Sequence, residues 1–201
     1  MSSSQLSFLE PLVSLPEGFE YRAGFVSPDE EATFLEHFHE LDFRKYEFHG
    51  YLGKRRVVSF GLHYDPSESA VRNTQDIPGF LLKLRQKVAD FARLAPSELQ
   101  QALVTEYTPG AAIGWHRDRP AYRDVIGVSF GSSCRFRFRR KSGGGWERAS
   151  LIVEPRSVYL LRGPARSEWQ HSIPPAERSR YSVTFRSIRG GPVKMHQAAV
   201  A

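Results

Sequence analysis

The chain has 201 residues, 40% of them hydrophobic and 25% charged, with a formal net charge of +6 and a pI near 9.6. That is one domain's worth of ordinary globular composition, and no apolar run reaches the roughly 18–20 residues that span a bilayer. A single cysteine, Cys134, excludes an internal disulfide and fits a reducing compartment, where it reads as a small apolar residue rather than a catalytic thiol.

Residues 1–17 carry no period and are expected to form a loosely ordered arm. No Lys or Arg precedes Arg22, so no secretory leader is expected, and the location expected is cytoplasmic. Residues 18–26 can form a strand. Ser27-Pro28-Asp29-Glu30 predicts a helix start, with a capping Ser, a Pro in the first turn and a Glu three residues after the Ser. Phe34, Leu35, Phe38 and Leu41 then fall on one helical face, with His37 and His39 as ordinary surface or boundary residues. Residues 44–66 mix aromatics, glycines and cations, among them Tyr51, Arg55 and Arg56. Such a surface can stack bases and hold phosphates, and its plain alternative is a hairpin with a polar tip. Val57-Val58-Ser59-Phe60 reads as a strand within it.

A second helix is predicted over residues 78–94, with Leu81, Leu84, Val88 and Phe91 on one face and Ala95-Pro96 beyond its end. From Leu103 onward, short strands alternate with turns at Pro109-Gly110, Gly131-Ser132, Gly143-Gly144-Gly145 and Gly163-Pro164. That rhythm predicts an antiparallel sandwich or jelly roll, with the two helices against the outside of one sheet. Residues 189–201 are Gly-rich and then unpatterned, as in a tail. No internal repeat or long linker divides the chain, so one domain over 18–188 is expected, and a monomer.

The positive charge is clustered. From Trp115 to Lys141 there are eight cations (Arg117, Arg119, Arg123, Arg135, Arg137, Arg139, Arg140 and Lys141) against Asp118 and Asp124. A basic field of this kind suits a polyanionic partner, of which nucleic acid is the commonest. In Arg135-Phe136-Arg137-Phe138-Arg139 the arginines share one strand face and the phenylalanines the other. A solvated outer face over an apolar core explains that alternation as well as phosphate contact does.

Three pieces carry the chemistry: His116-Arg117-Asp118, a later His171, and Arg180-Tyr181-Ser182-Val183-Thr184-Phe185-Arg186. Residues two apart on a strand point to the same side, so His116 and Asp118 can reach one metal while Arg117 faces away. His171 must arrive from another strand, within the short stretch Glu168–Ile173 that ends at Pro174-Pro175. Two imidazoles and a carboxylate can hold a divalent iron on one face and leave open positions. Arg180, Ser182, Thr184 and Arg186 share a strand face, and two guanidiniums suit carboxylates. Each piece alone has a bland reading, as a surface histidine or a half-buried strand with a wet face. Their occurrence once each, in this order, favours oxygen chemistry driven by 2-oxoglutarate.

These residues resemble the AlkB family of iron(II)- and 2-oxoglutarate-dependent dioxygenases. The match runs through Thr105-Glu106-Tyr107-Thr108-Pro109-Gly110, Gly114-Trp115-His116-Arg117-Asp118, Trp169-Gln170-His171-Ser172-Ile173-Pro174 and the Arg-x5-Arg from Arg180 to Arg186. The resemblance implies a mainly β fold with flanking helices, a double-stranded β-helix with its jelly-roll core over 103–188 and a substrate-recognition lid over 44–66. It implies His116, Asp118 and His171 as ligands of Fe(II), with O2 and 2-oxoglutarate as cosubstrates. Arg180 would pair with the distal carboxylate of 2-oxoglutarate, helped by Tyr107, and Arg186 would sit by the carboxylate that chelates the metal. Thr105 and Ser182 stand where the family often has Asn, and keep a shorter hydrogen-bonding group beside the cosubstrate. Tyr51, Arg55, Arg56, Trp115 and Arg119 are the expected substrate contacts.

The activity implied is oxidative demethylation of N-alkylated bases such as 1-methyladenine or 3-methylcytosine, in DNA repair or on RNA, releasing formaldehyde, succinate and CO2. The partner implied is alkylated single- or double-stranded DNA or RNA, transfer RNA included, with no membrane. Pro120 follows Arg119 where some DNA-repairing members carry an acidic residue that helps choose the base, which leaves the base range open. Two competing readings are a 2-oxoglutarate oxygenase acting on protein side chains and a non-enzymatic nucleic-acid-binding jelly roll. A cupin-type metal site is a further one, but it would have no reason to keep the paired arginines.

Overall fold

The computed structural model describes residues 14–48, 51–65 and 70–189, with the side chains of 46–48, 51–53, 63–65 and 70–73 left aside. The expected arm and tail therefore fall mostly outside the described residues, as do the Tyr51 side chain and the tip of the 44–66 segment.

The elements in chain order are β1 (Phe19–Arg22), α1 (Pro28–His39), β2 (Arg44–Phe48), β3 (Tyr51–Asp65), β4 (Ala70–Asn73), α2 (Gly79–Ala92), β5 (Gln101–Tyr107), β6 (Ile113–His116), β7 (Tyr122–Phe130), β8 (Cys134–Ser142), β9 (Gly145–Val153), β10 (Val158–Leu161), α3 (Gly163–Ser167), β11 (Gln170–Ile173) and β12 (Arg180–Ile188). They form two sheets. The major sheet runs β1-β10-β7-β12-β5-β3-β2, with β4 paired to β3, and the minor sheet runs β6-β11-β8-β9. All the paired strands in both are antiparallel. Face to face they make the expected double-stranded β-helix.

Local chemistry starts and stops these elements. The Ser27 hydroxyl accepts from the Glu30 amide at 3.1 Å, and the Glu30 carboxylate accepts from the Ser27 amide at 2.9 Å, closing the predicted capping box. The second helix ends earlier than its periodicity predicts, because Arg93 takes a left-handed conformation (φ 56°). Gly143 and Gly144 (φ 53° and 83°) make the two-residue turn between β8 and β9, a conformation that matches the strand twist and that a side chain would strain. Of the expected N-terminal arm, Glu17 is pinned: its carbonyl accepts from the Ala165 amide at 2.8 Å.

Two apolar cores flank the major sheet. Outside it, α1 and α2 bury Phe34, Phe38, Leu81, Leu84 and Val88 against Val104, Ile126, Val128, Val183 and Phe185. Between the sheets lie Phe136, Phe138, Val153, Tyr159, Leu161, Trp169 and Ile173, with Cys134. Strand β12 is therefore covered on both faces, where alternation alone read as a strand with one wet face. Tyr181, Val183 and Phe185 meet the helices, while Arg180, Ser182 and Thr184 are buried on the interior side.

Phe38 is fully buried and packs edge-on to Phe130 at 5.3 Å and obliquely to Tyr181 at 5.5 Å. Phe38→Ala is expected to cost about 3–5 kcal/mol in a denaturant titration, whereas Leu82→Ala, on the exposed side of α2, should change stability by less than about 0.5 kcal/mol.

Candidate active site

Strand register builds the site. His116 ends β6 and stands directly opposite His171 in β11. On its other side His171 faces Phe138 of β8, and the Phe136 ring stacks on the His171 imidazole at 5.4 Å. The two imidazoles lie 4.3 Å apart between ring centres. Asp118, in the loop leaving β6, brings a carboxylate oxygen to 3.5 Å from His116 Nε2. The donor atoms of His116, Asp118 and His171 all lie within 4.8 Å of one another. The carbonyl of Gly114 is 2.9 Å from His116 Nδ1, a bond that turns Nε2 toward the other two donors. Two neutral imidazoles and one carboxylate in this arrangement suit iron(II).

The electrostatics keep these groups in their metal-binding forms. Burial pulls the His171 imidazole down to about 3, with His116 adding to the effect and Asp118 opposing it. Burial alone would raise the Asp118 carboxyl, but Arg186, His116 and His171 together hold it well below the usual carboxylate range. Arg186 Nε is 3.5 Å from the Asp118 carboxylate, its Nη1 donates to Gln101 at 3.1 Å, and its guanidinium lies over the Tyr122 ring.

Arg180 is the largest side chain that is almost wholly buried, at 1% exposure. Its Nη2 donates to Ser129 at 3.0 Å and its guanidinium lies 4.4 Å over the Tyr107 ring. Its Nε and Nη1 have no hydrogen-bond partner among the described residues. Buried cationic donors left unpaired are costly, and a carboxylate brought to them would meet both. The Tyr107 hydroxyl is 3.4 Å from Ser182. Thr105 is buried beside them, since β5 and β12 pair Tyr107 with Arg180 and Thr105 with Ser182. The residues present thus fit both an iron ion and a dicarboxylate.

Of the expected substrate contacts, Arg56 and Trp115 face away from the interior. Arg55 and Arg56 alternate on β3. Arg56 pairs with Glu106 on the helix-covered side of the sheet, where Glu106 also accepts from the Tyr181 hydroxyl at 3.2 Å. It faces away from Arg180. Arg55 falls on the face shared with Thr105 and Tyr107. Trp115 lies on the outer face of the minor sheet, with the guanidiniums of Arg137 (4.9 Å) and Arg139 (4.4 Å) over its ring. It faces away from His116 because adjacent strand residues point to opposite sides. Arg119 sits one residue beyond Asp118, in the loop between β6 and β7.

Two interior groups escaped the sequence reading. Ser129 anchors Arg180, and its signal was a lone hydroxyl in the apolar run of β7. Tyr159 occupies the space a side chain at Gly127 would need, with ring atoms 2.2 Å from an ideal Cβ there. Burial and the neighbouring Tyr107 push the Tyr159 phenol well up, so it stays protonated, a donor facing the site.

Comparison with known proteins agrees with this geometry. Residues 19–189 match the family described as the 2OG-Fe(II) oxygenase superfamily. Uncharacterized protein L905 of Acanthamoeba polyphaga mimivirus is 26% identical over 196 residues, covering 88% of each chain. The Arabidopsis thaliana alkylated DNA repair protein ALKBH8 homolog is 28% identical over 177 residues, 70% of this chain. The Xenopus tropicalis tRNA (carboxymethyluridine(34)-5-O)-methyltransferase alkbh8 is 27% identical over 184 residues, 85% of this chain. The matches span only 51% and 28% of those last two proteins. Among solved structures, OsALKBH1 superposes with a TM-score of 0.64 at 18% identity, over 87% of this chain and 98% of its own. A Pseudomonas putida prolyl-4-hydroxylase does so with a TM-score of 0.55 at 15% identity, over 86% and 94%.

His171 is neutral in the folded protein but titrates near 6.5 once unfolded. Below that pH the unfolded chain takes up a proton that the folded chain refuses, so stability is lost as pH falls. The melting temperature of the metal-free protein is expected to fall between about pH 6.5 and pH 4, and the slope should be shallower in His171→Gln, as thermal melts across a buffer series would show.

Proposed function

The chain belongs to the 2OG-Fe(II) oxygenase superfamily and is AlkB-like, and we propose that it removes N-alkyl groups oxidatively from bases in DNA or RNA, transfer RNA included. It is an Fe(II)- and 2-oxoglutarate-dependent dioxygenase. We assign iron coordination to His116, Asp118 and His171. One observation carries the cosubstrate assignment: the buried Arg180 guanidinium with two unmatched donors.

Bound iron supplies oxygen activation coupled to decarboxylation of 2-oxoglutarate. The rest is the work of this chain's own side chains. Arg180 binds the distal carboxylate of 2-oxoglutarate through its free Nε and Nη1, with Tyr107 and Ser182 completing the hydrogen bonds. Arg186 holds Asp118 ionised and aimed at the two imidazoles. His171 stays neutral and keeps a lone pair available at neutral pH. The Tyr159 phenol remains a donor toward the interior. Phe136 and Phe138 wall the site with apolar surface and keep water from the reacting groups.

Three things support nucleic acid as the substrate class: the basic stretch from Trp115 to Lys141, the AlkB resemblance, and relatives named for alkylated-DNA repair and for tRNA modification. A base must leave its stack to reach a buried metal, so single-stranded substrate is favoured.

The test loads the protein anaerobically with iron, then supplies 2-oxoglutarate, oxygen and a single-stranded oligonucleotide bearing one 1-methyladenine or 3-methylcytosine, as DNA and as RNA. Formaldehyde equal to the methyl groups lost is the expected result. Succinate without demethylation would move the substrate to another class, such as a protein side chain. Arg180→Met is expected to raise the KM for 2-oxoglutarate roughly 10- to 100-fold, the loss of a charged hydrogen-bonding partner, while iron content measured by metal analysis stays at the wild-type level.

A further inference from the structure

The outer face of the minor sheet has no part in the site just described, yet it is the most concentrated cationic surface of the chain. Its outward positions follow from the register. Strand β8 contributes Arg135, Arg137, Arg139 and Lys141, strand β9 Trp146, Arg148, Ser150 and Ile152, strand β11 Gln170 and Ser172, and strand β6 Trp115. None of the outward positions on β8, β9 and β11 is Asp or Glu. None of the five cations forms an ion pair among the described residues. Arg140, one residue away on the opposite face, pairs with both Glu147 and Glu168. Arg140 is thus neutralised by two carboxylates, whereas its five outward neighbours meet none among the described residues.

The cations alternate with aromatic planes. The Arg139 guanidinium lies 4.4 Å from the Trp115 ring centre and 4.4 Å from that of Trp146, between the two. Arg137 also lies over the Trp115 ring at 4.9 Å, and Lys141 reaches Trp146 at 6.0 Å. The arginines are tethered: Arg137 donates to Ser172 at 3.0 Å and Arg139 to Gln170 at 2.8 Å. Trp146 is an exposed large aromatic at one end of the row, and Ile152 is exposed at the other end of β9. Planar groups in a row, fixed in position and uniformly positive, match the alternation of bases and phosphates in a nucleic-acid single strand.

We infer that this face is a second nucleic-acid contact, a platform that holds the single strand flanking the target base by stacking on Trp146 and by phosphate contacts to Arg135, Lys141 and Arg148, with Trp115 holding Arg137 and Arg139 in place. The inference rests on the nucleic-acid reading of the active site. Strand β6 is an edge of the minor sheet. It carries Trp115 outward and His116 inward, and the loop that leaves it holds Arg117, Asp118 and Arg119. A strand lying across the platform thus passes over this edge to the metal ligands.

The experiment measures binding of unmodified 20-nucleotide and 5-nucleotide single strands, as RNA and as DNA, by fluorescence anisotropy across a salt series. It compares the wild-type protein, Lys141→Gln/Arg148→Gln, Trp146→Ala and the conservative Trp146→Phe, all loaded with iron and 2-oxoglutarate. The double variant is expected to weaken 20-mer binding at least about tenfold and to lower the salt slope by about 0.7 per lost phosphate contact. Trp146→Ala should weaken it about tenfold with little change in slope, and Trp146→Phe should restore it. Demethylation of a methylated 5-mer should be unchanged in every variant, which also shows that each is folded. Wild-type affinity for the 20-mer in the variants would overturn the platform and leave the dealkylase reading standing. Equal competition by an acidic peptide of matched charge would overturn it too, as a generic polyanion surface. A wild-type protein that demethylates neither length fails at the active-site reading instead.

Discussion

The register between β6 and β11 is the constraint on which the site depends. His116 and His171 stand opposite one another across that pairing, and strand side chains alternate, so a one-residue slip would send His171 to the outer face and leave a polar neighbour inside. Strands of four residues do not hold register on backbone bonds alone. Here β11 is clamped from β8 on both faces. Phe136 stacks on the His171 ring inside, while Arg137 and Arg139 bond Ser172 and Gln170 outside. The same alternation that aims two imidazoles inward therefore gives the outer arginines a structural task.

The second constraint is charge in a dry interior. Asp118 is buried, and an isolated carboxylate there would take up a proton. Arg186 prevents this from 3.5 Å. Arg180 is buried six residues earlier on the same strand with a single hydroxyl partner. A carboxylate placed against it would satisfy donors that have no partner among the described residues. The two arginines thus stand in different surroundings: Arg186 lies against Asp118, and Arg180 keeps two donors without a partner among the described residues. Six strand residues, about 20 Å, separate their backbone positions along β12.

Much of this was legible in the sequence because it depended on local rules. The capping box at Ser27, the helical faces of α1 and α2, the two-glycine turn at 143–144 and the strand alternation of Arg135–Arg139 follow from residue spacing alone. The triad and the Arg-x5-Arg were legible as a pattern, although their convergence needed the fold. What sequence could not fix was which face of a strand points where. Arg56 and Trp115 were read as substrate contacts because they sit near the right segments, but each is one residue out of phase with the interior. The second cover over β12 was missed because a strand buried on both faces can still alternate, with polar groups facing a functional interior rather than solvent. Ser129 and Tyr159 come from strands with no motif of their own, and only the strand order β10-β7-β12 of the major sheet brings them to Gly127 and Arg180.

The 44–66 segment shows how far composition can be trusted. Its mixture of rings and cations read as a recognition surface. Where its side chains are described, one of the cations, Arg56, is spent on Glu106 at the junction of β3 with the helix-covered face, and only Arg55 retains the phase of the interior. A cluster of cations that meets no acid among the described residues lies instead on β8 and β9, where composition alone allowed an ordinary solvated face. A solvated face does not need an arginine stacked against two indoles, nor outward positions without an acid on three strands. Those two features cost conformational freedom and charge repulsion, and neither contributes to the apolar core beneath, which Phe136 and Phe138 already fill. A strand of alternating planes and phosphates would offset both costs at once, and its path to His116 is the one-residue step from Trp115 on the outer face of β6 to the inner face.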